Sequence, residues 1–200
     1  MSDVAILLFA AGASARMGGR DKLMEEIGGE PLLCRSARRA VATGLPVTVL
    51  LPPDRPDRPD RTAALEGLAL ATVRVDRAAE GMSRSIRAGL ASLPPETAGA
   101  MMLQADMPDL ETADLVTLAD RFRALGADTV TRAAAADGTP GAPAIVPRRL
   151  FPALAALEGD TGGRDVLRTE KQELVPLPGR HALTDLDTPE DWAAWRRAAD

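Results

Sequence analysis

Between Ile6 and Lys22 the chain reads Ile-Leu-Leu-Phe-Ala-Ala-Gly-Ala-Ser-Ala-Arg-Met-Gly-Gly-Arg-Asp-Lys, an apolar stretch of strand length that empties directly into small residues and glycines. Few folds accept that junction. A buried parallel strand followed by a turn of bare backbone is how an α/β sheet brings main-chain N–H groups up to an anion. Small residues at Ala10, Ala11, Gly12, Ala13 and Ser14 leave those donors uncovered. Arg16 and Lys22 add positive charge, one as a planar fork and the other as a compact ammonium. Lys22 is informative because it and Lys171 are the only lysines among 24 basic residues. A tight connection between strand and helix explains the glycines and alanines equally well, so packing turn and phosphate cradle stand side by side. The familiar fingerprints do not decide: no lysine follows Gly18 or Gly19 as Walker A requires, and Ser14 stands where Gly-x-Gly-x-x-Gly needs a second glycine.

Apolar runs of strand length alternate with amphipathic stretches of helix length along the remaining chain, the pattern of βαβ units. The expected fold is α/β, a Rossmann-like three-layer α/β/α sandwich on a mostly parallel, mixed sheet, with one domain over residues 1–200. A chain of 200 residues with 46% hydrophobic content can build one substantial core. A net charge of −5 and only 2% aromatic residues argue against a nucleic-acid surface, which needs a basic face and stacking rings. Cys34 is the single cysteine, so no internal disulfide forms, and its position on the apolar register of a helix predicts a buried small hydrophobe. His181 is the single histidine, which leaves no His-rich metal site. No basic leader precedes the first apolar run, and no run reaches the roughly 18 apolar residues of a membrane span, so a soluble, cytoplasmic protein is expected.

In chain order, Ile27-Gly28-Gly29-Glu30 predicts a turn and Pro31 the first residue of a helix reaching about Thr43, with Gly44 as its stop. Val47–Leu51 and Ala71–Val75 read as strands, separated by the Asp-Arg-Pro repeat at 54–61, which alternating charge and proline make a solvated loop. Gly81-Met82-Ser83 opens a helix through Leu93, with Ser83 expected to cap it by accepting a backbone N–H. Ala100–Met107 is a buried strand with one carboxylate, Asp106, at its C-terminal tip before Pro108. That edge of an open α/β sheet is where ligands bind, although a carboxylate there can simply cap a turn. Residues 112–125 show helical spacing, with Leu115, Leu118, Phe122 and Leu125 on a core face; 128–131 and 144–146 read as strands, and 148–157 as a helix. Gly138–Pro143 is too crowded with glycine and proline to be regular; Asp160 can cap the helix after it, and the exposed glycines there with Arg164 would equally suit an anionic acceptor. Thr184–Trp192 combines a strand end with a helix start, where Thr188 is the cap and Pro189 the first helical residue. Of the two aspartates before that helix, only Asp187 alternates onto the side where Asp106 could share a cation.

Ala-Ala-Gly-x-Ser-x-Arg-Met-Gly, Asp-Lys-Leu and Gly-Gly-x-Pro-Leu-Leu in the first part of the chain resemble the opening of nucleotidyltransferases that activate small phosphorylated acceptors. Within that group the chain most resembles the molybdenum cofactor cytidylyltransferases and their guanylyl-transferring relatives, whose fold is of the nucleotide-diphospho-sugar transferase type. The matches recur to the C-terminus. The resemblance implies transfer of CMP from CTP to molybdopterin cofactor, with Mg²⁺, and with a molybdoenzyme as the recipient of the product. GMP transfer from GTP is the alternative, because the guanylyl enzymes usually show Gly-Gly where Ala10-Ala11-Gly12 stands. A methylerythritol phosphate acceptor fits less well, since those enzymes carry Pro-Lys-Gln in place of Asp21-Lys22-Leu23. A non-catalytic chaperone of a molybdoenzyme is the reading from a different class. By the same resemblance, Ala10, Ala11, Gly12, Ser14, Arg16 and Lys22 bind the nucleotide, and Gly81 and Ser85 of Gly-Met-Ser-x-Ser-x-Arg-x-Gly-Leu lie at the base. Asp106 and Asp187 hold the metal, and Arg16, Lys22 and Asp106 are the catalytic set. Gly141, Pro143 and Arg164 face the acceptor, with Ala142 standing where the cytidylyl enzymes usually carry histidine.

Overall fold

The computed structural model describes residues 3–54, 60–159 and 163–199. The first strand, β1 (Val4–Phe9), leads into the glycine-rich loop. A two-residue hairpin of β2 (Glu26–Ile27) and β3 (Glu30–Pro31) follows, turned by Gly28 and Gly29 at φ 62° and 83°, values that favour glycine. Then come α1 (Leu32–Val41), β4 (Val47–Leu51), β5 (Ala71–Arg74), α2 (Met82–Ala91), β6 (Gly99–Gln104) and α3 (Thr112–Ala124). The last third holds β7 (Val130–Ala134), β8 (Pro140–Pro147), α4 (Phe151–Ala155), α5 (Arg164–Arg168), β9 (Gln172–Pro176) and α6 (Pro189–Ala199).

Seven strands form one sheet in the order β5-β4-β1-β6-β8-β7-β9. Only β8 pairs antiparallel with its neighbours, and the other pairs are parallel. The period-two alternation of β1 distributes the core. Ile6 and Leu8 pack with Leu32, Leu33, Leu118, Phe122 and Trp192 from α1, α3 and α6, while Leu7 packs with Ile86, Leu90 and Leu154 from α2 and α4. This is the expected three-layer sandwich on a mixed sheet.

From β1 the chain moves outward through β4 to β5, then returns to place β6 on the other side of β1. The order therefore reverses between β1 and β6, and the loops leaving the carboxyl ends of those two strands diverge around a crevice. Residues 10–22 and 105–108 are those loops.

Several local expectations are corrected. Pro31 does not open α1; it is extended, at φ −54° and ψ 140°, and pairs with Glu26 before the helix begins at Leu32. Gly138–Pro143 is not irregular throughout, because β8 already runs from Pro140. The register against β7 shifts between Ala134↔Pro140 and Arg132↔Ala144, so Pro143, which has no N–H to donate, falls inside the irregularity. No strand runs through 184–188 directly before α6, so alternation does not govern the aspartates there. The strand expected at 128–131 starts at Val130, and β9 was not expected at all. Cys34 is half-buried rather than fully buried. The expected cap at Asp160 lies outside the described residues. No helix among the described residues is long and apolar enough to cross a membrane.

Candidate active site

The loop after β1 is held open from beneath. Ser14 sits in the left-handed region at φ 52°, turning its side chain inward, where the hydroxyl donates to Asp21 Oδ1 at 3.2 Å and accepts from the Lys22 N–H at 3.2 Å. Asp21 also accepts from the Leu23 N–H at 3.1 Å. Arg61 reaches in from the far side of the Asp-Arg-Pro repeat. Its guanidinium forks onto Asp21, with Nε to Oδ2 at 2.8 Å and Nη2 to Oδ1 at 2.7 Å, and Nη1 donates to the Ala10 carbonyl. The side chains of Arg61 and Asp21 are only 4% and 3% exposed. A residue expected in a solvated loop is thus half of a buried ion pair. Nothing in the alternating charge of 54–61 marks it, whereas Asp21 was at least adjacent to the conspicuous Lys22. Gly12 and Ser14 donate their amides to no other described residue, so the loop presents free donors at the crevice.

Above the loop, charges from three distant segments converge. Lys22 Nζ donates to Asp106 and, at 2.6 Å, to Asp187 Oδ1; Arg16 Nη2 lies 2.6 Å from Asp187 Oδ2. Local structure sets each carboxylate. Asp106 follows β6, and its carbonyl accepts from the Leu186 N–H at 3.0 Å, which ties the C-terminal segment to the strand tip. Asp187 is fixed by the start of α6, where Asp191 accepts from the N–H groups of Asp187 and Thr188 at 3.2 and 2.8 Å and the Thr188 hydroxyl accepts from the Asp191 N–H at 3.2 Å. Burial opposes the charge on Lys22, but Asp106 and Asp187 outweigh it and hold the ammonium above the usual lysine range. Asp185 belongs to the cluster as well: burial first, then the nearby Asp106 and Asp187, push its carboxyl up. Sequence reasoning set Asp185 aside on an alternation that the coil does not have.

The residues also bear on a divalent cation. Asp106 Oδ1 is buried with no hydrogen-bond partner, a free acceptor beside the one engaged by Lys22. No group of three or more His, Cys, Asp or Glu among the described residues forms a closed cation cage. One or two carboxylates with room for ligand oxygens is the donor set that suits Mg²⁺ or Mn²⁺ when a phosphate completes the shell, so Asp106 and Asp187 fit.

Two cavities flank the cluster. One of about 520 Å³ lies along Ala11, Gly12, Pro52, Arg61, Arg74 and Ala78. The other, about 700 Å³, takes in Phe9, Met107, Gly141, Ala142, Arg164 and Asp185. Gly81 and Ser85 line neither. Both are buried at the start of α2, between Ala78 and Ala79 on the first cavity and Met82 and Ile86 on the second. Ser83 does not cap α2. Gly81 takes the cap position at φ 118°, and the Ser83 hydroxyl instead donates to the Gly159 carbonyl at 2.7 Å. Pro143 is buried within β8, apart from the second cavity, while Gly141 and Arg164 are in its wall. Gly141 also has a packing reason: a Cβ there would land on the Ala182 carbonyl oxygen.

A mixed sheet with an amide-lined loop and converging carboxylates at its switch point is an arrangement suited to holding a polyphosphate. The chain belongs to the family of the MobA-like NTP transferase domain, which matches residues 6–175. A protein of Synechococcus elongatus named probable molybdenum cofactor guanylyltransferase is 32% identical over 199 residues, covering 95% of this chain and 96% of that one. The crystal structure of Rv0371c from Mycobacterium tuberculosis superposes with a TM-score of 0.80 at 23% identity, over 98% of this chain and 99% of that chain. A structure of Rv0371c in complex with manganese gives 0.73 at 21% identity, over 96% and 97%.

Proposed function

We propose that this nucleotidyltransferase moves CMP from CTP to the phosphate of molybdopterin cofactor and releases pyrophosphate. The observation that carries the reading is Lys22, held by Asp106 and Asp187 and tied through its N–H to Ser14 of a loop whose Gly12 and Ser14 amides bond no other described residue. A phosphate oxygen of the acceptor forms a bond to the α-phosphorus, the bond from α-phosphorus to its bridging oxygen breaks, and the electron pair leaves on pyrophosphate. No protein nucleophile is needed, so the protein's work is alignment and neutralisation of charge. The amides of Gly12 and Ser14 bind phosphate oxygens, Arg16 swings its largely exposed guanidinium to the departing β- and γ-phosphates, and Lys22 steadies charge at the α-phosphate. A Mg²⁺ ion, when bound by Asp106 and Asp187, supplies Lewis-acid screening of the triphosphate. Gly81 and Ser85, buried between the two cavities, are the residues proposed for the base side, and Gly141 and Arg164 border the acceptor, with Pro143 behind them in β8.

The curated relative's name favours a second reading, GTP as donor. Pyrophosphate release measured with CTP, GTP and ATP, each with purified molybdopterin and Mg²⁺, separates the two. Preference for CTP supports the first reading and preference for GTP the second. Thermal stabilisation by a nucleotide with no turnover would sink both and leave a binding protein. Ligand at 100 times its Kd should stabilise the fold by about 2.7 kcal/mol.

A further inference from the structure

The second cavity contains a cation that the proposed chemistry does not yet use. Its floor is the face of the sheet, where one register row reads Leu7, Met102, Ala144, Arg132, Leu174 from β1 to β9. Four of the five are apolar and the fifth is arginine. Arg132 is half-buried, and its partners are neutral: Nε donates to the Gly141 carbonyl at 2.7 Å and Nη1 to Gln172 Oε1 at 3.4 Å. No carboxylate among the described residues forms a salt bridge with it. Arg164, from α5, lines the same cavity and likewise has no ion pair among the described residues. Two acids, Asp165 and Asp185, also line this cavity, and neither forms a salt bridge with Arg132 or Arg164. Asp185 faces Asp106 and Asp187, and Asp165 is the neighbour of Arg164 on α5. Burial first, and then the like charge of Arg164, hold the Arg132 guanidinium below the usual arginine range. Two guanidiniums in a partly desolvated cavity, neither in an ion pair with a described residue, repel each other in the empty protein, and an anion placed between them removes that penalty. Phe9, Met82, Met102 and Met107 supply apolar wall to the same cavity.

We propose that Arg132 joins Arg164 in clasping the phosphate of the acceptor, and that this pair selects acceptors that carry a phosphomonoester. The inference rests on the acceptor-side reading above and adds to it the residue that selects the anionic group. Its neutral anchor on Gly141 keeps the guanidinium plane facing the cavity while leaving other N–H donors for oxygen atoms.

The test uses Arg132→Gln, whose amide can still donate to Gly141, and Arg164→Gln. With the physiological acceptor, Arg132→Gln should raise the acceptor KM about 30-fold, corresponding to about 2 kcal/mol, with the nucleotide KM unchanged. Because the empty cavity loses a desolvated charge, the ligand-free Tm should hold or rise. Phenyl phosphate serves as a probe that needs no turnover: in calorimetric titrations the wild type should take up one equivalent that both variants lose. Equal phenyl phosphate binding in wild type and Arg132→Gln would overturn the clasp. An acceptor KM unchanged in that variant would overturn it too, while the transfer reading survives. Absence of turnover in the wild type, with the phenyl phosphate difference intact, would sink the transfer reading and leave the clasp standing.

Discussion

Removing the Asp21 carboxylate should damage the protein more than removing any exposed charge. Asp21→Ala strands the Arg61 guanidinium in a site where its side chain is 4% exposed, with only the Ala10 carbonyl and, at 3.4 Å, the Ser14 hydroxyl left to receive its protons. Breaking one side of a buried pair costs about 3–5 kcal/mol, because the remaining charge keeps its desolvation penalty and loses its partner. The reverse change, Arg61→Met, should be milder, since Asp21 retains the Leu23 N–H and the Ser14 hydroxyl. In urea, with a denaturant slope of about 2–3 kcal/mol per molar for a chain of this size, Asp21→Ala should lower the midpoint by about 1–2.5 M. The double replacement Asp21→Leu with Arg61→Met removes both charges together and should recover most of the loss, to within about 1 kcal/mol of wild type. It should not recover nucleotide binding, because the pair also holds Ala10 and Ser14 in the conformation that frees the loop amides; a nucleotide KM about tenfold higher is expected. A midpoint shift below about 0.3 M in Asp21→Ala would refute the argument, as would a double variant no more stable than the single one.

Lys22→Ala and Asp106→Asn should each lower kcat about 100- to 1,000-fold in the pyrophosphate-release assay while far-UV circular dichroism stays native, and wild-type rates in either would refute their assignment. Gly99→Ala should destabilise by about 1–3 kcal/mol, read by urea denaturation, because a Cβ there lies 2.5 Å from the buried Phe122 ring. Gly141→Ala should cost more than Gly99→Ala, since what it meets is the Ala182 backbone rather than a side chain, and the opposite order would contradict the packing described. Cys34 should react with iodoacetamide at pH 8 more slowly than free cysteine does, because burial and then the neighbouring Glu30 carboxylate push its thiol up and deplete the thiolate.

How much of this was legible beforehand follows from the range over which each interaction acts. Alternation of apolar runs is a local signal with a fixed period, and it sufficed for the layers, for most strands and for the faces of α1 and α3. The β1 loop was legible for the same reason, since free amides need small neighbours within a few residues. Asp106 could be singled out because a carboxylate at a strand tip is marked by the strand itself, whereas Asp187 was chosen over Asp185 by the resemblance and by an alternation that the coil does not have. Of β8 only 144–146 was read as a strand; proline and glycine at 138–143 read as irregular, yet the register shift against β7 accommodates Pro143, which has no N–H to donate.

Arg61 and Arg132 show where local reading ends. Each is an arginine in an unremarkable stretch, and only burial separates them from the surface arginines that fill this chain. What burial then demands differs between the two. Arg61 meets a carboxylate from 40 residues away and becomes structure, a strut that no ligand need complete. Among the described residues Arg132 bonds only neutral acceptors and feels another arginine, so no ion pair there balances its charge. A fold tolerates such an imbalance in its interior where something outside the chain supplies the missing charge, which is why the arginine without a counter-ion, rather than the better-bonded one, points to the second substrate.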